Sequence, residues 1–304
     1  MPIRASSEPG ADVADLALLI VLATLWGASY SLIRVGVESI PPLTLIAART
    51  TIAAIVLLGV VASRALALPH DRALWRRFAV QACLNSVIPF TLIAWAEQFV
   101  EAGLATILNA CAPIFAFLLG RLQAQPASST RRQLFGIACG MAGVVLIVGT
   151  QAISGIGRQL AAEVAIVAAT VCYAGAAVFG RNFDALDPML PATGSLICGT
   201  IMLVPLSLIV DHPWTLAPSG RSVLALLGLA IFSTALALTL YFRLMRTLGS
   251  VGATAQAYLR VPIGVAIGVA FLGESLAPGA STGLALVVAG VAAMTLSGPG
   301  RGGR

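Results

Sequence analysis

Gly103-Leu104-Ala105-Thr106-Ile107-Leu108-Asn109-Ala110-Cys111-Ala112-Pro113 recurs, loosely, as Gly252-Ala253-Thr254-Ala255-Gln256-Ala257-Tyr258-Leu259-Arg260-Val261-Pro262. In each copy a glycine opens an apolar helix and a proline interrupts it ten positions later. Each copy is the fourth in a run of five apolar segments. An odd number of spans per copy forces the second to enter a bilayer upside down relative to the first. Paired, proline-interrupted helices in an inverted repeat point to the central binding site of a transporter.

The solvent implied by the composition is lipid. Hydrophobic residues fill 59% of the 304 positions and charged residues 10%, against about 25% charged in soluble domains. The formal charge of +6 does not indicate nucleic acid, because the arginines fall in short clusters between apolar runs with no aromatic-interleaved basic face. The chain has no lysine, which removes Schiff-base and lysine general-base chemistry. Cys83, Cys111, Cys139, Cys172 and Cys198 all lie inside apolar runs without zinc-site or redox spacing. They read as small buried hydrophobes, and no metal or cofactor is expected. The first fifteen residues carry Glu8, Asp12 and Asp15 against Arg4 alone; a signal peptide wants a basic start, so Leu16 onward reads as an uncleaved span.

Runs of about twenty apolar residues match a hydrocarbon core about 30 Å thick, and each must be helical to satisfy its backbone there. Ten are present: Leu16–Val37, Pro42–Ser63, Phe78–Gln98, Ala102–Gly120, Leu134–Gln151, Leu160–Phe179, Met189–Val210, Val223–Phe242, Val251–Leu272 and Ser281–Leu296. The expected fold is an all-α integral membrane protein, ten transmembrane helices arranged as two inverted five-helix repeats. Its divisions are an N-terminal tail (1–15), a first repeat (16–151), an external linker (152–159), a second repeat (160–296) and a C-terminal tail (297–304). With both termini cytoplasmic, thirteen arginines fall in inner segments and only Arg34, Arg158 and Arg221 in outer ones, a strong positive-inside bias.

The halves correspond beyond the opening motif. Trp26 to Arg34 spans eight positions, as does Tyr173 to Arg181, and Pro41 and Pro188 then precede the next helix. Gly136 and Gly143 are matched by Gly283 and Gly290, again seven apart. Gly136-x-x-x-Gly140 and Gly264-x-x-x-Gly268 permit close helix contacts, within a monomer or between two copies.

In its order of motifs the chain resembles the drug/metabolite transporter superfamily, of the ten-helix EamA type. The residues that carry the resemblance are Trp26-Gly27-Ala28-Ser29-Tyr30, Pro41-Pro42 with Arg49, Tyr241 through Gly249, Pro262, Leu272-Gly273-Glu274 and the glycines at 283 and 290. It extends from about Leu16 to Leu296. The resemblance implies a multi-pass carrier of the bacterial inner membrane that exports amino acids or related amphiphilic metabolites. A multidrug or cationic-compound exporter of the same fold is the alternative. Two departures stand out: Gly120-Arg121 occupies the place matched by Gly273-Glu274, and Arg260 sits at a helix centre that is usually apolar in the family.

Arg260 is the sharpest single residue. It lies about 14 Å into its span at 1.5 Å per residue, near the bilayer middle. An arginine there costs about 2.5–3.5 kcal/mol on insertion scales and must face protein or a wet cavity. Gln256 lies one turn earlier on the same face. The pair suits a substrate carboxylate, or alternatively the carbonyls freed by Pro113 or Pro262. Asn109 and Tyr258 each precede a proline by four residues, leaving their carbonyls without an amide partner. Trp26, Ser29 and Tyr30 of the first helix, and Tyr173 of the sixth, offer aromatic and polar lining. Asn85, four residues before Pro89, and Trp95 are further candidates. Arg49 is open to three readings: snorkelling outward, pairing with Glu97 or Glu38, or attracting an anionic substrate. Pro113, Pro262 and Glu274 are candidates for structure and gating. Glu38, Glu97, Glu101, Glu163 and Glu274 all fall at span ends, so no mid-span carboxylate declares a coupling proton; Glu97 and Glu274 are open to titration in an outer vestibule, and a facilitator or exchanger fits equally well.

The rival classes lack parts. An intramembrane enzyme would need a H-E-x-x-H motif or a mid-span carboxylate pair, neither of which occurs. A channel would need a filter or pore-lining ring, and a scaffold would need no polar chamber. The expected partners are a small-molecule substrate and the lipid bilayer, with no nucleic acid, as a monomer or homodimer. The mechanism expected is alternating access.

Overall fold

A computed structural model describes residues 13–122, 135–143, 145–146, 158–247, 256–275 and 278–295. Among these the structure is helical, without strands. The elements are α1 (Val13–Gly36), α2 (Pro42–Ser63), α3 (Arg72–Ala96), α4 (Ala102–Asn109), α5 (Ala112–Leu122), α6 (135–143), α7 (Arg158–Phe179), α8 (Met189–Val210), α9 (Gly220–Thr247), α10 (Gln256–Leu272) and α11 (Pro278–Thr295). Six helices, α1, α2, α3, α7, α8 and α9, are long and apolar enough to cross a membrane. Ile55, Ile201 and Phe271 project outward, 64%, 66% and 79% exposed, which suits lipid rather than water as the neighbour.

Packing obeys a two-fold exchange of the halves. If α1 is exchanged with α7, α2 with α8, α3 with α9 and α4–α5 with α10, the contacts map onto one another. α1 packs along α10 as α7 packs along α4 and α5; α3 meets α7 as α9 meets α1; α3 meets α8 as α9 meets α2. The α2–α8 pair maps onto itself, and its members run antiparallel. Thr44, at the start of α2, bonds Asp211 just after α8, while Leu57 and Val61 near the end of α2 share a cluster with Met189 and Leu196. Counterpart helices pointing in opposite directions make the repeat inverted.

Glycines hold the two helix crossings that join the halves. A Cβ on Gly27 would sit 3.0 Å from the Arg260 carbonyl oxygen and 3.1 Å from the Gly264 amide nitrogen. α1 and α10 therefore touch backbone to backbone, which side chains larger than hydrogen would forbid. On α6 and α11, a Cβ on Gly290 would lie 2.5 Å from the Gly136 carbonyl oxygen, and one on Gly143 2.9 Å from that of Gly283. Both glycine motifs are thus occupied by contacts inside the monomer.

Local chemistry explains where the helices depart from the expected spans. α3 starts six residues before the expected Phe78 because the Asp71 side chain accepts the Ala73 N–H and caps it. The expected single span Ala102–Gly120 is two helices, turning at Ala110 and Cys111 just before Pro113. Pro262 behaves differently from the expectation: α10 runs unbroken through it. A proline removes one amide donor without necessarily ending a helix, and α8 likewise runs through Pro205. The start of the second motif copy, Gly252 to Ala255, lies outside the described residues, as do the side chains of Pro113 and Tyr258.

Two widened turns also map onto each other. α3 carries a π-helical segment at Cys83–Val87 and α9 one at Ile231–Leu236. Pro89 accounts for the first, since it cannot donate back to the preceding turn. In the second, the Thr234 hydroxyl bonds the Leu229 carbonyl five residues back. Such bulges recur at functional sites.

Candidate functional site

Between α1, α4 and α7 lies a buried polar chain. The Asn109 side-chain amide donates to the Tyr30 hydroxyl. The Thr170 hydroxyl lies 3.2 Å from the Asn109 side-chain oxygen and 2.8 Å from the Ile166 carbonyl. Tyr30, Asn109 and Thr170 are all buried. Asn109 ends α4, so the helix break presents its side chain and the last-turn carbonyls toward this region.

A second cluster joins α2, α3, α7 and α9. Arg49, buried, donates from Nε to the Thr234 hydroxyl at 2.9 Å. Its guanidinium carbon stands 3.8 Å above the centre of the Phe90 ring, and Phe90 in turn meets the Tyr173 ring at 6.4 Å. Arg49 neither snorkels nor pairs with Glu97 or Glu38; Glu38 instead faces Arg221, 4.0 Å away. The reason is the widened turn of α9, which delivers Thr234 to the guanidinium. This cation–π contact and the charge-assisted hydrogen bond together replace the counter-ion.

Arg260 of α10 completes the ring of groups. Tyr30 lies in the fields of Arg260, Arg49 and Glu97, and Tyr173 in those of Tyr30, Arg49 and Arg260. The Nε of Arg260 and the side-chain oxygen of Gln256 are both buried without a hydrogen-bond partner. Arg260 is therefore not tied through Nε to a proline-freed carbonyl. An unpaired donor and an unpaired acceptor one turn apart are costly unless something else binds them.

Tyr30, Asn109, Tyr173, Arg49 and Arg260 thus share one region, with Gln256 on the adjoining turn. Other expected residues lie apart. Trp26 packs on Tyr241 at 5.4 Å, in an apolar cluster with Leu22 and Leu244. The Ser29 hydroxyl is spent on the Trp26 carbonyl at 2.6 Å. Asn85 is half-buried in the π segment of α3. Trp95, 36% exposed, meets the Phe99 ring edge-on at 5.2 Å. A cavity of ≈ 280 Å³ lined by Leu84, Leu119, Gly175, Val178, Phe179 and Asn182 opens further along α7 from Tyr173. It is mostly apolar and contains none of the polar residues above. Thr170, Phe90 and Thr234 escaped the sequence reading, although Ser233-Thr234 is a visible polar pair inside an apolar run.

One end of the bundle is closed by polar contacts between segments expected on the outer face. The Glu274 carboxylate, on the residue after α10 and Gly273, accepts the Ala102 and Gly103 amides at 2.7 and 2.8 Å, capping α4. The Arg34 guanidinium donates to the Glu97 main-chain carbonyl. Ser222 bonds the Val35 carbonyl at 2.8 Å, and Ser39 the Ser219 amide at 3.0 Å. Burial and the Glu274 charge raise the pKa of Glu101.

The chain matches the model of the EamA-like transporter family twice, over residues 15–149 and 160–296. It belongs to the EamA-like transporter family. Among its relatives is the Escherichia coli (strain K12) protein named "Uncharacterized inner membrane transporter YedA", 28% identical over 278 residues, covering 91% of this chain and 89% of that protein. A "Probable terminal-alkyne amino-acid exporter" of Streptantibioticus cattleyicolor is 27% identical, covering 90% of each chain. The "Uncharacterized transporter YoaV" of Bacillus subtilis is 22% identical over 81% of this chain. A solved crystal structure superposes with a TM-score of 0.64 over 93% of this chain at 17% identity, which is likeness of fold. This EamA-family chain is a membrane transporter, embedded in lipid and acting on small molecules.

Proposed function

We propose that this transporter is an alternating-access exporter of amino acids or closely related amphiphilic metabolites. In this reading it lies in the bacterial inner membrane with both termini cytoplasmic. The observation that carries the substrate class is the unpaired Arg260 Nε and Gln256 oxygen, with Arg260 near enough to Tyr30 of the Tyr30–Asn109–Thr170 chain to act on it electrostatically. A carboxylate suits Arg260, and an ammonium suits the Gln256 oxygen. The Phe90 and Tyr173 rings offer contact to an apolar side chain. Two arginines beside the chamber disfavour a permanent cation, which weighs against a cationic-drug exporter. The relative named as a probable amino-acid exporter supports the same choice.

The topology has its own support. Segments assigned to the outer face by the arginine count meet one another, as Arg34 with the 97 loop and Ser39 with Ser219. Rocking of the two inverted halves would part the contacts that cross between them, Ser39 with Ser219 and Glu274 with the Ala102 and Gly103 amides, and open the outer face.

The test is ligand stabilisation of the purified protein. Free amino acids with apolar side chains should raise Tm, while their carboxyl amides should not. Arg260→Ala should abolish the effect. Equal stabilisation by acids and amides, or an undiminished response in Arg260→Ala, would exclude this site.

A further inference from the structure

Glu97 follows the last residue of α3, at the closed end of the bundle, and is wholly buried. Both of its carboxylate oxygens lack a hydrogen-bond partner. The groups around it are spent elsewhere. Arg34 of α1 donates to the main-chain carbonyl of Glu97 rather than to its carboxylate. Arg49 of α2 is held by Thr234 and Phe90. Arg158, which opens α7, lies over the Phe99 ring at 5.9 Å. Glu274, after α10, and Tyr30 of α1 also face it. Glu101, at the start of α4, belongs to the same loop and bonds the Ser275 amide.

A charged carboxylate removed from water without a partner costs several kcal/mol, and the Glu274 carboxylate nearby adds repulsion. The inexpensive way to bury Glu97 is with a proton on it. Parting the Glu274 contact with Ala102 and Gly103, which joins the two halves beside the 97 loop, would admit water to the side chain, after which the proton can leave to the outer solution. We propose that Glu97 is a proton-binding site whose occupancy holds the outer face of the transporter closed and whose proton is released outward when that face opens. The sign follows from linkage: the closed state binds one more proton than the open state, so raising the pH favours opening. This inference rests on the alternating-access reading above, but it requires no knowledge of the substrate.

The experiment uses the full chain in lipid nanodiscs, without added substrate. The five cysteines are replaced by alanine, and spin labels are placed on Glu38→Cys in the first half and Ser275→Cys in the second, both exposed. Electron-electron resonance distances are read from about pH 5 to about pH 8.5, a range that brackets buried glutamates. With Glu97 present, a longer-distance population should grow as pH rises. Glu97→Gln should keep the short distance throughout, and Glu97→Asp should retain the pH response. A distance distribution unaffected by pH, or a response that survives in Glu97→Gln, overturns the proposal; the second result would move the titration to Glu101, Glu163 or Glu274. If glutamine at 97 prevents folding, infrared spectroscopy of the wild-type protein decides. A protonated-carboxyl band should be present at low pH, fade with opening, and shift in Glu97→Asp; its absence at low pH overturns the proposal. A negative outcome here leaves the amide-versus-acid stabilisation test standing, so the two claims fail separately.

Discussion

Removing the Glu274 carboxylate should loosen the closed outer face by a predictable amount. In the structure its two oxygens take the Ala102 and Gly103 amides at 2.7 and 2.8 Å, and both residues are buried. Hydrogen bonds to a charged group contribute about 1.5–3 kcal/mol each. Glu274 itself is only half-buried, so water can replace part of the loss, and Glu274→Ala should cost about 2–4 kcal/mol. Glu274→Gln keeps one acceptor oxygen but loses the charge at the helix N-terminus, and should cost about half as much. The assay is reversible unfolding in mixed micelles titrated with sodium dodecyl sulfate. A loss below about 0.5 kcal/mol in Glu274→Ala, the range of an inert surface change, would refute the clamp. So would a glutamine variant less stable than the alanine one. The place that matches Glu274 in the first half is held by Arg121, which cannot accept amide protons. The clamp therefore belongs to one side of the membrane only.

Other consequences can be measured alongside. Gly27→Val should abolish folded yield, because its first side-chain carbon meets backbone at 3.0 Å, whereas Gly59→Ala, with open space around it, should be neutral in the same expression and gel-filtration assay. Thr234→Val leaves the buried Arg49 Nε unpaired and should cost about 1–3 kcal/mol in unfolding titrations. Arg49→Lys should not restore full stability, since an ammonium lacks the planar stacking on Phe90. Tyr30→Phe removes the acceptor for the Asn109 amide and should raise the apparent KM for export several-fold while leaving unfolding within about 1.5 kcal/mol of wild type.

The spans were legible because lipid imposes a length and an all-helical backbone, and both appear directly as apolar runs. The inverted arrangement was legible in the repeated spacing of Trp26–Arg34 and Tyr173–Arg181. Arg260 announced itself by the cost of its position. Glu97 was visible as a span-end carboxylate able to titrate near the outer face, but its complete burial was not, because that comes from tertiary packing. Thr234 and Phe90 acquire their meaning from the widened turn of α9 and from Arg49, neither of which has a periodic signature. Trp95 lies on the exposed side of α3, in contact with Phe99. The unbroken course of α10 through Pro262, like that of α8 through Pro205, is not marked by the proline itself.

Counterflow in proteoliposomes tests the central account most directly, using a free amino acid identified by the stabilisation screen and comparing wild type with Arg260→Ala. Wild-type protein should show saturable exchange of labelled for unlabelled amino acid, with affinity lost in Arg260→Ala while the protein remains folded. Flux that rises linearly with concentration, or saturable exchange that Arg260→Ala leaves unchanged, would contradict a carrier site built around Arg260.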